Sequence, residues 1–359
     1  MLKYFKWTVL FLLSIPRIGL GDEDSTKNVK VLAFPAVSRA PETSWVLGAA
    51  TVTVFKTKRS DTLLRTSTIP LAVLYSLKKQ ITVTSGVNLY FPGERYIFRL
   101  ENTFTKFPDK FWGFGYDTPN SNLENYEFNQ LFINPQFLKK VYKDYFVGVS
   151  MEYQQVFYIH YQKDGIFDQQ NVRGRDGGRS LGVGIELSRD SRNNTFSASK
   201  GYLIKLANVV FNNIFTSQYN FNYTEIDIRR YIPVFRNQVF CYQFASILST
   251  GDVPYRYMAQ LGSPNMMRGY YAGRYRDKNM MGFQVEQRIP VWWRFGLVAF
   301  AGLGQVSEDM VHWHLKDVRY SVGGGLRFAI LPKEKLNVRL DYGFGYLSHN
   351  FYLTVAESF

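Results

Sequence analysis

Apolar and polar residues alternate in long segments along this chain. From Lys335 to Phe344 the even positions are apolar or aromatic, whereas the odd positions are charged, polar or glycine. The same period of two recurs at 145–154, 181–188 and 224–229. A period of two is typical of a β-strand with one apolar and one polar face. The pattern therefore predicts a chain built from β-strands.

Alternation by itself fits two architectures. A soluble sandwich would bury the apolar face, whereas a membrane barrel would turn it toward lipid and line its lumen with the polar face. The predicted strands run roughly 10 to 16 residues, longer than the usual ~5 to 6 of soluble strands. Short junctions such as 91–94 and 331–334 alternate with the longer segments 108–121, 162–178 and 251–278. Both features favour a membrane barrel.

The strand count supports a closed sheet. Strands are predicted near 28–37, 43–57, 63–76, 79–92, 95–107, 122–139, 143–161, 179–190, 200–215, 219–232, 236–250, 279–290, 294–306, 317–330, 334–345 and 348–359. An even number of antiparallel strands can close on itself, and closure removes edges that no membrane tolerates. We therefore predict an all-β fold, a transmembrane 16-stranded antiparallel β-barrel with all long loops at one end except 190–200.

The N-terminal segment and the composition indicate export. Residues 1–21 carry Lys3 and Lys6 before a short apolar core, which is typical of a removable signal peptide. Residues 22–359 then form a single barrel domain. Losing Lys3, Lys6 and Arg17 with the signal lowers the formal charge from +14 to +11, which suits anionic lipid or an acidic partner but identifies neither. The single Cys241 excludes an internal disulfide framework.

Several motifs occur in a characteristic order. These are GVGIELSRDSRNNTFSASKGYLIKL (182–205), MRGY (267–270), QVEQRIP (284–290), SVGGGLRF and RLDYGFGY. With them the chain resembles the BamA/TamA family of bacterial surface antigen barrels, and SRAPETSWVLGAA resembles the opening of members from Bacteroidetes. The resemblance implies the bacterial outer membrane as location. It also implies membrane lipid, the outer-membrane assembly machinery and client polypeptides as partners.

The resemblance also implies that the sixth outer loop inserts into the lumen. Residues 265–277 are dense in Met, Tyr and Arg yet show neither strand alternation nor a helical stripe, so we expect a loop. Arg268, Gly269 and Tyr270 form its motif. A guanidinium in a partly dry lumen must find acceptors. Glu286 is the nearest candidate partner on the inner wall, where Arg288 shares its face and Asp341 is a further candidate.

Two departures from the family pattern limit this interpretation. The family carries Phe-x-Asp-x-Gly on the following strand, whereas this chain has Gly302 at the position of the carboxylate. Arg268 would then depend on Glu286 alone or on Asp341 as well. Family assembly factors also carry periplasmic POTRA modules, whereas only residues 22–27 lie between the predicted signal and the first predicted strand. We therefore expect a barrel without POTRA modules, and client binding by such modules does not carry over.

The last ten residues, NFYLTVAESF, also alternate. Phe351, Leu353, Val355 and Phe359 share one face, and a last strand that ends in Phe resembles the assembly signal of outer-membrane barrels. The predicted first strand is short and contains Pro35, which cannot donate to the sheet. Few hydrogen bonds are therefore expected where the first strand meets the last.

No catalytic motif is present, so we predict a non-enzyme without cofactor. His312 and His314 share a strand face, but no third ligand is in view and we expect no metal. The loop arginines lack a nucleic-acid module around them. Two functions remain. The barrel acts in protein assembly or polypeptide export through a weak seam between its first and last strands, or it is a structural or passive-pore barrel without insertase activity.

Overall fold

A computed structural model describes residues 29–58, 60, 61, 64–309, 311, 313–332 and 335–359. The predicted signal peptide and His312 lie outside these residues. The strands are β1 Val29–Ala40, β2 Ser44–Phe55, β3 Ser67–Ser76, β4 Ile81–Tyr90, β5 Tyr96–Phe111, β6 Glu124–Tyr142, β7 Tyr145–His160, β8 Gly178–Asp190, β9 Gly201–Phe211, β10 Phe221–Pro233, β11 Val239–Gly251, β12 Ala259–Leu261, β13 Tyr275–Asp277, β14 Asn279–Trp292, β15 Phe295–Ser307, β16 Arg319–Leu331, β17 Leu336–Gly345 and β18 Ser348–Val355. A single α-helical turn, α1, spans Ile166–Gln169, and 3₁₀ turns lie at Pro92–Glu94, Asn120–Asn122, Asn213–Phe215, Phe235–Asn237 and Leu315–Asp317.

Sixteen of these strands form a closed antiparallel barrel, which confirms the predicted fold class. Each strand pairs with its neighbour in sequence, except that β11 pairs with β14 because β12 and β13 form a separate two-stranded ribbon. We call the end with connections 112–123, 161–177 and 252–278 the loop end. The opposite end, with 143–144, 191–200, 234–238 and 293–294, is the turn end.

The two faces of the wall follow the sequence alternation. On β3, Leu71 and Val73 are exposed to the outside, whereas Ala72 and Leu74 are buried. On β10 the inward positions are Glu225, Asp227 and Arg229, all at most 5% exposed. The outer wall is therefore apolar and the lumen is lined with charge. Among the described residues no helix is long and apolar enough to cross a bilayer.

Aromatic clusters fill the loop end of the lumen. One cluster joins Phe211, Phe221 and Tyr223 of the wall to Tyr257 and Tyr270 of segment 252–278. A second cluster packs the wall against Phe167 and Tyr255, and its members are Phe111, Tyr126, Phe128, Val156, Phe167, Val172 and Tyr255. Segment 252–278, called loop 6 below, therefore lies inside the barrel.

Three details of the prediction are wrong. The first strand is not short, because β1 has 12 residues and pairs with β2 along its whole length. Segment 265–277 is not loop throughout, because Tyr275–Asp277 pairs with Ala259–Leu261. The last strand ends at Val355 rather than at 359.

The end of β18 also corrects the predicted outer face. Ala356 has a φ of 63°, which bends the chain out of the sheet. Phe359 consequently lies in the lumen, 4% exposed, beside Tyr231 and Cys241. Val355 is buried as well, at 6%. Phe359 therefore does not share a face with Phe351, Leu353 and Val355, contrary to the prediction.

Candidate functional site

Loop 6 can lie against the barrel wall because glycines meet there. Gly269 has a φ of 116°, and a Cβ on it would lie 2.8 Å from the carbonyl carbon of Phe344. A Cβ on Gly343 would lie 2.7 Å from the carbonyl carbon of Arg268. Only glycine combines the positive φ with such close backbone contact. The MRGY segment is thereby held against β17.

Arg268 is the central side chain of the site. Its Nη2 lies 2.6 Å from Glu286 Oε2, and its Nη1 lies 2.7 Å from Asp341 Oδ2. The guanidinium also lies 3.5 Å from the ring centroid of Phe300. Arg268, Glu286 and Asp341 have no solvent exposure. Charge-assisted hydrogen bonds of this kind are short and strong, so the loop is fastened to two strands at once.

Further arginines extend this site. Arg288 Nε lies 2.8 Å from Glu286 Oε1, and Arg327 Nε lies 2.7 Å from Glu357 Oε2. Arg327 Nη1 contacts Asp341 Oδ1, and Arg339 Nη1 lies 3.5 Å from Asp341 Oδ2. We call this set the arginine cluster; its members are Arg268, Arg288, Arg327, Arg339, Glu286, Asp341 and Glu357.

Three members of the cluster, Arg327, Arg339 and Glu357, were not among the predicted site residues. Arg327 stands opposite Arg339 in the register of β16 and β17, so the inward face of β17 would have identified it. Glu357 follows the bend at Ala356, which the alternation of the last ten residues did not predict. A buried ionic cluster contributes little net stability, but removal of one partner leaves another charge uncompensated. The cluster therefore constrains geometry more than it stabilises the fold.

The glycines of β16 make room for the cluster. A Cβ on Gly325 would lie 2.0 Å from Asp341 Oδ1, and one on Gly323 would lie 2.5 Å from Phe300 Cζ. Gly302 has a similar function on β15, because a Cβ there would lie 3.0 Å from Met267 Sδ. Met267 thus fills the space beside Gly302, and Asp341 is the second acceptor for Arg268.

Loop 6 also spans the junction between β1 and β18, which we call the seam. On the β18 side, the Gly269 amide donates to Tyr352 Oη at 2.9 Å, and Asn350 Nδ2 donates to the Gly269 carbonyl at 2.6 Å. On the β1 side, the Ala272 amide donates to Glu42 Oε1 in the β1–β2 turn. Residues three positions apart in loop 6 therefore hold both sides of the seam.

Glu42 is an unusual carboxyl group because it is buried in a turn. Burial is the largest cause that raises the pKa of Glu42 to about 7, and Asp109 adds to the effect. The hydrogen bond from Ala272 and the charge of Lys78 lower this pKa without cancelling the burial. Tyr271 Oη donates to Asp109 Oδ1 at 2.9 Å nearby. The contact between the β1–β2 turn and loop 6 therefore titrates close to neutral pH.

The C-terminal residues contact the same cluster. Ser358 Oγ donates to Glu286 Oε2 at 2.9 Å, and Arg288 Nη2 donates to the main-chain oxygen of Phe359 at 2.8 Å. The Glu357 amide donates to the carbonyl of Phe196 in segment 191–200, at 3.1 Å. Phe351 and Leu353 remain on β18 at the seam. A role of these residues in assembly stays a prediction.

Metal binding gains no support from the described residues, since no group of three or more His, Cys, Asp and Glu side chains there could hold a metal ion. His314 is exposed at the loop end.

Comparisons with known proteins agree with this architecture. The profile of the Omp85 superfamily domain matches residues 69–359. Among solved structures, BamA from Haemophilus ducreyi lacking POTRA domains 1-3 is similar, with a TM-score of 0.59 and 11% identity over 91% of this chain and 70% of that chain. A comparison with curated proteins finds no match.

Two further structures share the fold. CdiB from Acinetobacter baumannii has a TM-score of 0.58 and 8% identity, and CdiB from Escherichia coli has a TM-score of 0.58 and 10% identity. Each comparison covers 92% of this chain, which spans 60% and 63% of those two chains. At such low identities the similarity concerns the fold alone.

Proposed function

This chain belongs to the Omp85 superfamily, and we propose that it assembles or exports polypeptides by opening the seam between β1 and β18. As an Omp85 barrel it is located in the bacterial outer membrane and is surrounded by lipid. Omp85 barrels are generally transport or assembly proteins rather than enzymes. The seam is the feature of this barrel that carries the finer proposal.

The pairing across the seam supports the proposal. Among the described residues, β1 and β18 are in register at one pair, Arg39↔Leu353. By contrast, β1 pairs with β2 from Val29↔Phe55 to Ala40↔Ser44. Arg39 Nη1 adds a long hydrogen bond of 3.4 Å to the Phe351 carbonyl. Because each ladder pair contributes to cohesion, a junction with so few is the one that opens at least cost.

An open seam would expose unpaired backbone groups. Such edges are templates on which a foreign strand can add through main-chain hydrogen bonds. Loop 6 braces the closed form, since Tyr352 and Glu42 hold it from the two sides. In this mechanism, the contact of loop 6 with Tyr352 or with Glu42 breaks before the seam opens. The incoming strand then replaces the few hydrogen bonds that β1 and β18 lose.

The second candidate is a structural barrel or passive pore without insertase activity. The buried arginine cluster favours a rigid structural barrel, because it fixes loop 6 and the C-terminal residues in one arrangement. An open pore is favoured less, since Met267, Arg268 and Tyr270 fill the lumen with no solvent exposure.

A disulfide across the seam tests the mechanism. The pair Arg39→Cys and Leu353→Cys, in a Cys241→Ser background, should lock the seam under oxidation and abolish function until a reductant is added. Leu47→Cys with Tyr75→Cys is the matched control, because these residues are a register pair within the continuous β2–β3 ladder. Full activity of the oxidised seam pair would refute the proposal.

Depletion of the protein followed by proteomics of the outer membrane distinguishes the candidates. Broad loss of barrels would support assembly, and loss of a single species would support dedicated export. An unchanged outer membrane would favour the structural or passive-pore barrel.

A further inference from the structure

Charge is distributed unequally between the two ends of the barrel. At the turn end, the carboxylates in the described residues are already engaged. Glu94 and Asp190 lie 2.7 and 3.2 Å from Arg65, and Asp144 lies 2.9 Å from Arg189. Asp61 accepts the Gly93 amide at 2.9 Å. Within the part of the chain that the structure describes, these carboxylates are thus occupied by other partners and not by the exposed cations of the turn end.

Three turns present such a cation beside an exposed aromatic ring. Lys143 Nζ lies 5.1 Å from the ring centroid of Tyr142, in the β6–β7 turn. In the β10–β11 turn, Arg236 Cζ lies 4.9 Å from the ring of Phe235. Arg294 Cζ lies 5.0 Å from the ring of Trp293 in the β14–β15 turn. Among the described residues, none of these three cations forms an ion pair.

The three rings are largely exposed. Tyr142, Phe235 and Trp293 are 61%, 75% and 70% exposed. Water is a poor environment for three large exposed rings at turn tips, and the rim of a membrane barrel offers an alternative. Aromatic rings favour the boundary between headgroups and acyl chains, where a neighbouring cation can reach phosphate oxygens.

The backbone of these turns supports a role beyond connection. Lys143, Arg236 and Trp293 adopt φ values of 42°, 55° and 49°. Two-residue hairpin turns usually place Asn or Gly in this left-handed region, and a bulky residue there costs energy. Such strain is a reason to ask what the side chains do. If these residues served only to connect strands, glycine would adopt the same positive φ with less strain.

We infer that the turn end binds anionic phospholipid headgroups through these aromatic–cation pairs, independently of whether the seam opens. The phosphate of the headgroup accepts from Lys143, Arg236 or Arg294, and the adjacent ring inserts beneath it. The loop end does not have this character, because exposed carboxylates such as Asp164, Asp176 and Glu308 accompany its cations.

Native mass spectrometry from nanodiscs of mixed phosphatidylglycerol and phosphatidylcholine tests the inference. The full chain should retain phosphatidylglycerol in preference to phosphatidylcholine. The triple variant Lys143→Gln, Arg236→Gln, Arg294→Gln should lower this preference by on the order of tenfold or more, since each basic residue near an anionic surface contributes ~1 kcal/mol. The control triple Lys79→Gln, Lys163→Gln, Lys316→Gln removes the same charge from the loop end and should change nothing.

Several outcomes would overturn the inference. Absence of a preference in the native chain would do so, as would an equal loss in both triple variants, which would indicate net charge alone. Retention of an acidic soluble protein at the turn end, without lipid preference, would assign the surface to a protein instead. Trp293→Gly separates the two roles of that residue. It should relax the turn and raise the unfolding temperature while lowering phosphatidylglycerol retention.

Discussion

The hydroxyl of Tyr352 accepts the Gly269 amide at 2.9 Å and donates to the Tyr270 carbonyl at 3.0 Å. One side chain of the last strand thus satisfies two backbone groups of loop 6. Tyr352 is fully buried, so neither group has water as an alternative partner. The contact couples the loop to β18, which is one of the two strands of the seam.

Tyr352→Phe should loosen loop 6 without unfolding the barrel. The ring still fills its site, but a buried donor and acceptor lose their partner, at a cost on the order of 1–3 kcal/mol each. Amide hydrogen exchange in nanodiscs should show faster exchange at 265–277. Tyr342→Phe is the control, because Tyr342 is exposed on the outer wall. Equal protection of loop 6 in both variants would contradict this coupling.

Arg268→Met and Glu286→Gln should have different effects. Without Arg268, Glu286 keeps Arg288 and Asp341 keeps Arg327, so the barrel should form while loop 6 becomes protease-sensitive around 256–278. Without the Glu286 charge, Arg268 and Arg288 lose a shared partner, and removal of one buried partner costs about 3–5 kcal/mol. Glu286→Gln should therefore lower the unfolding temperature more.

The double variant Arg268→Met, Glu286→Gln tests whether these two side chains act as a pair. Because the two side chains contact each other, their effects should not add. Additive losses in unfolding free energy, or an unchanged loop in Arg268→Met, would show that the buried pair does not fasten the loop.

Gly325→Ala should disrupt the arginine cluster, whereas Gly324→Ala should be nearly silent. The added methyl at 325 would overlap Asp341 Oδ1 and separate it from Arg327. At 324 the nearest atom to a Cβ is the Val298 carbonyl oxygen at 3.3 Å, on the outer side of the sheet. Overpacking costs about 1–3 kcal/mol before any ionic loss. The temperature at which the folded barrel loses its fast migration in detergent gels measures the difference.

Glu42 should make the loop 6 contact pH-dependent. Its folded pKa of about 7 lies above the ordinary value of 4.5, so the folded state holds the proton more tightly. The stabilisation is fully present below pH 4.5 and is lost as pH rises through about 7, by at most about 3 kcal/mol. Thermal unfolding at pH 5 and pH 8 should reveal it, and Glu42→Gln should flatten the profile. A native profile as flat as that of the variant would refute the assignment.

Two variants of Phe359 separate a role as assembly signal from a role in packing inside the lumen. Deletion of Phe359 should lower outer-membrane levels in cells if the residue is an assembly signal. Phe359→Ala should also lower the unfolding temperature of refolded barrels, because the ring packs beside Tyr231 and Cys241. His349→Ala, exposed on β18, is the control for both measurements. Normal membrane levels of the deletion would leave only the luminal packing role.

The sequence alone determined the sixteen barrel strands and most of their faces. A period of two is a local property, and one apolar face per strand suffices to place sixteen segments and to identify the inward charges on β10 and β17. The MRGY motif could likewise be identified from the sequence, because Arg268, Gly269 and Tyr270 are consecutive in the chain.

Tertiary structure decided which groups meet. Asp341 as second acceptor, Met267 in the space above Gly302, and the inward bend at Ala356 depend on the register of strands far apart in sequence. The alternation predicted that β18 would run to residue 359, but Glu357 finds Arg327 and the Phe196 carbonyl inside the barrel. A buried carboxylate follows its cationic partners rather than the local period, because a buried charge without a partner is costly.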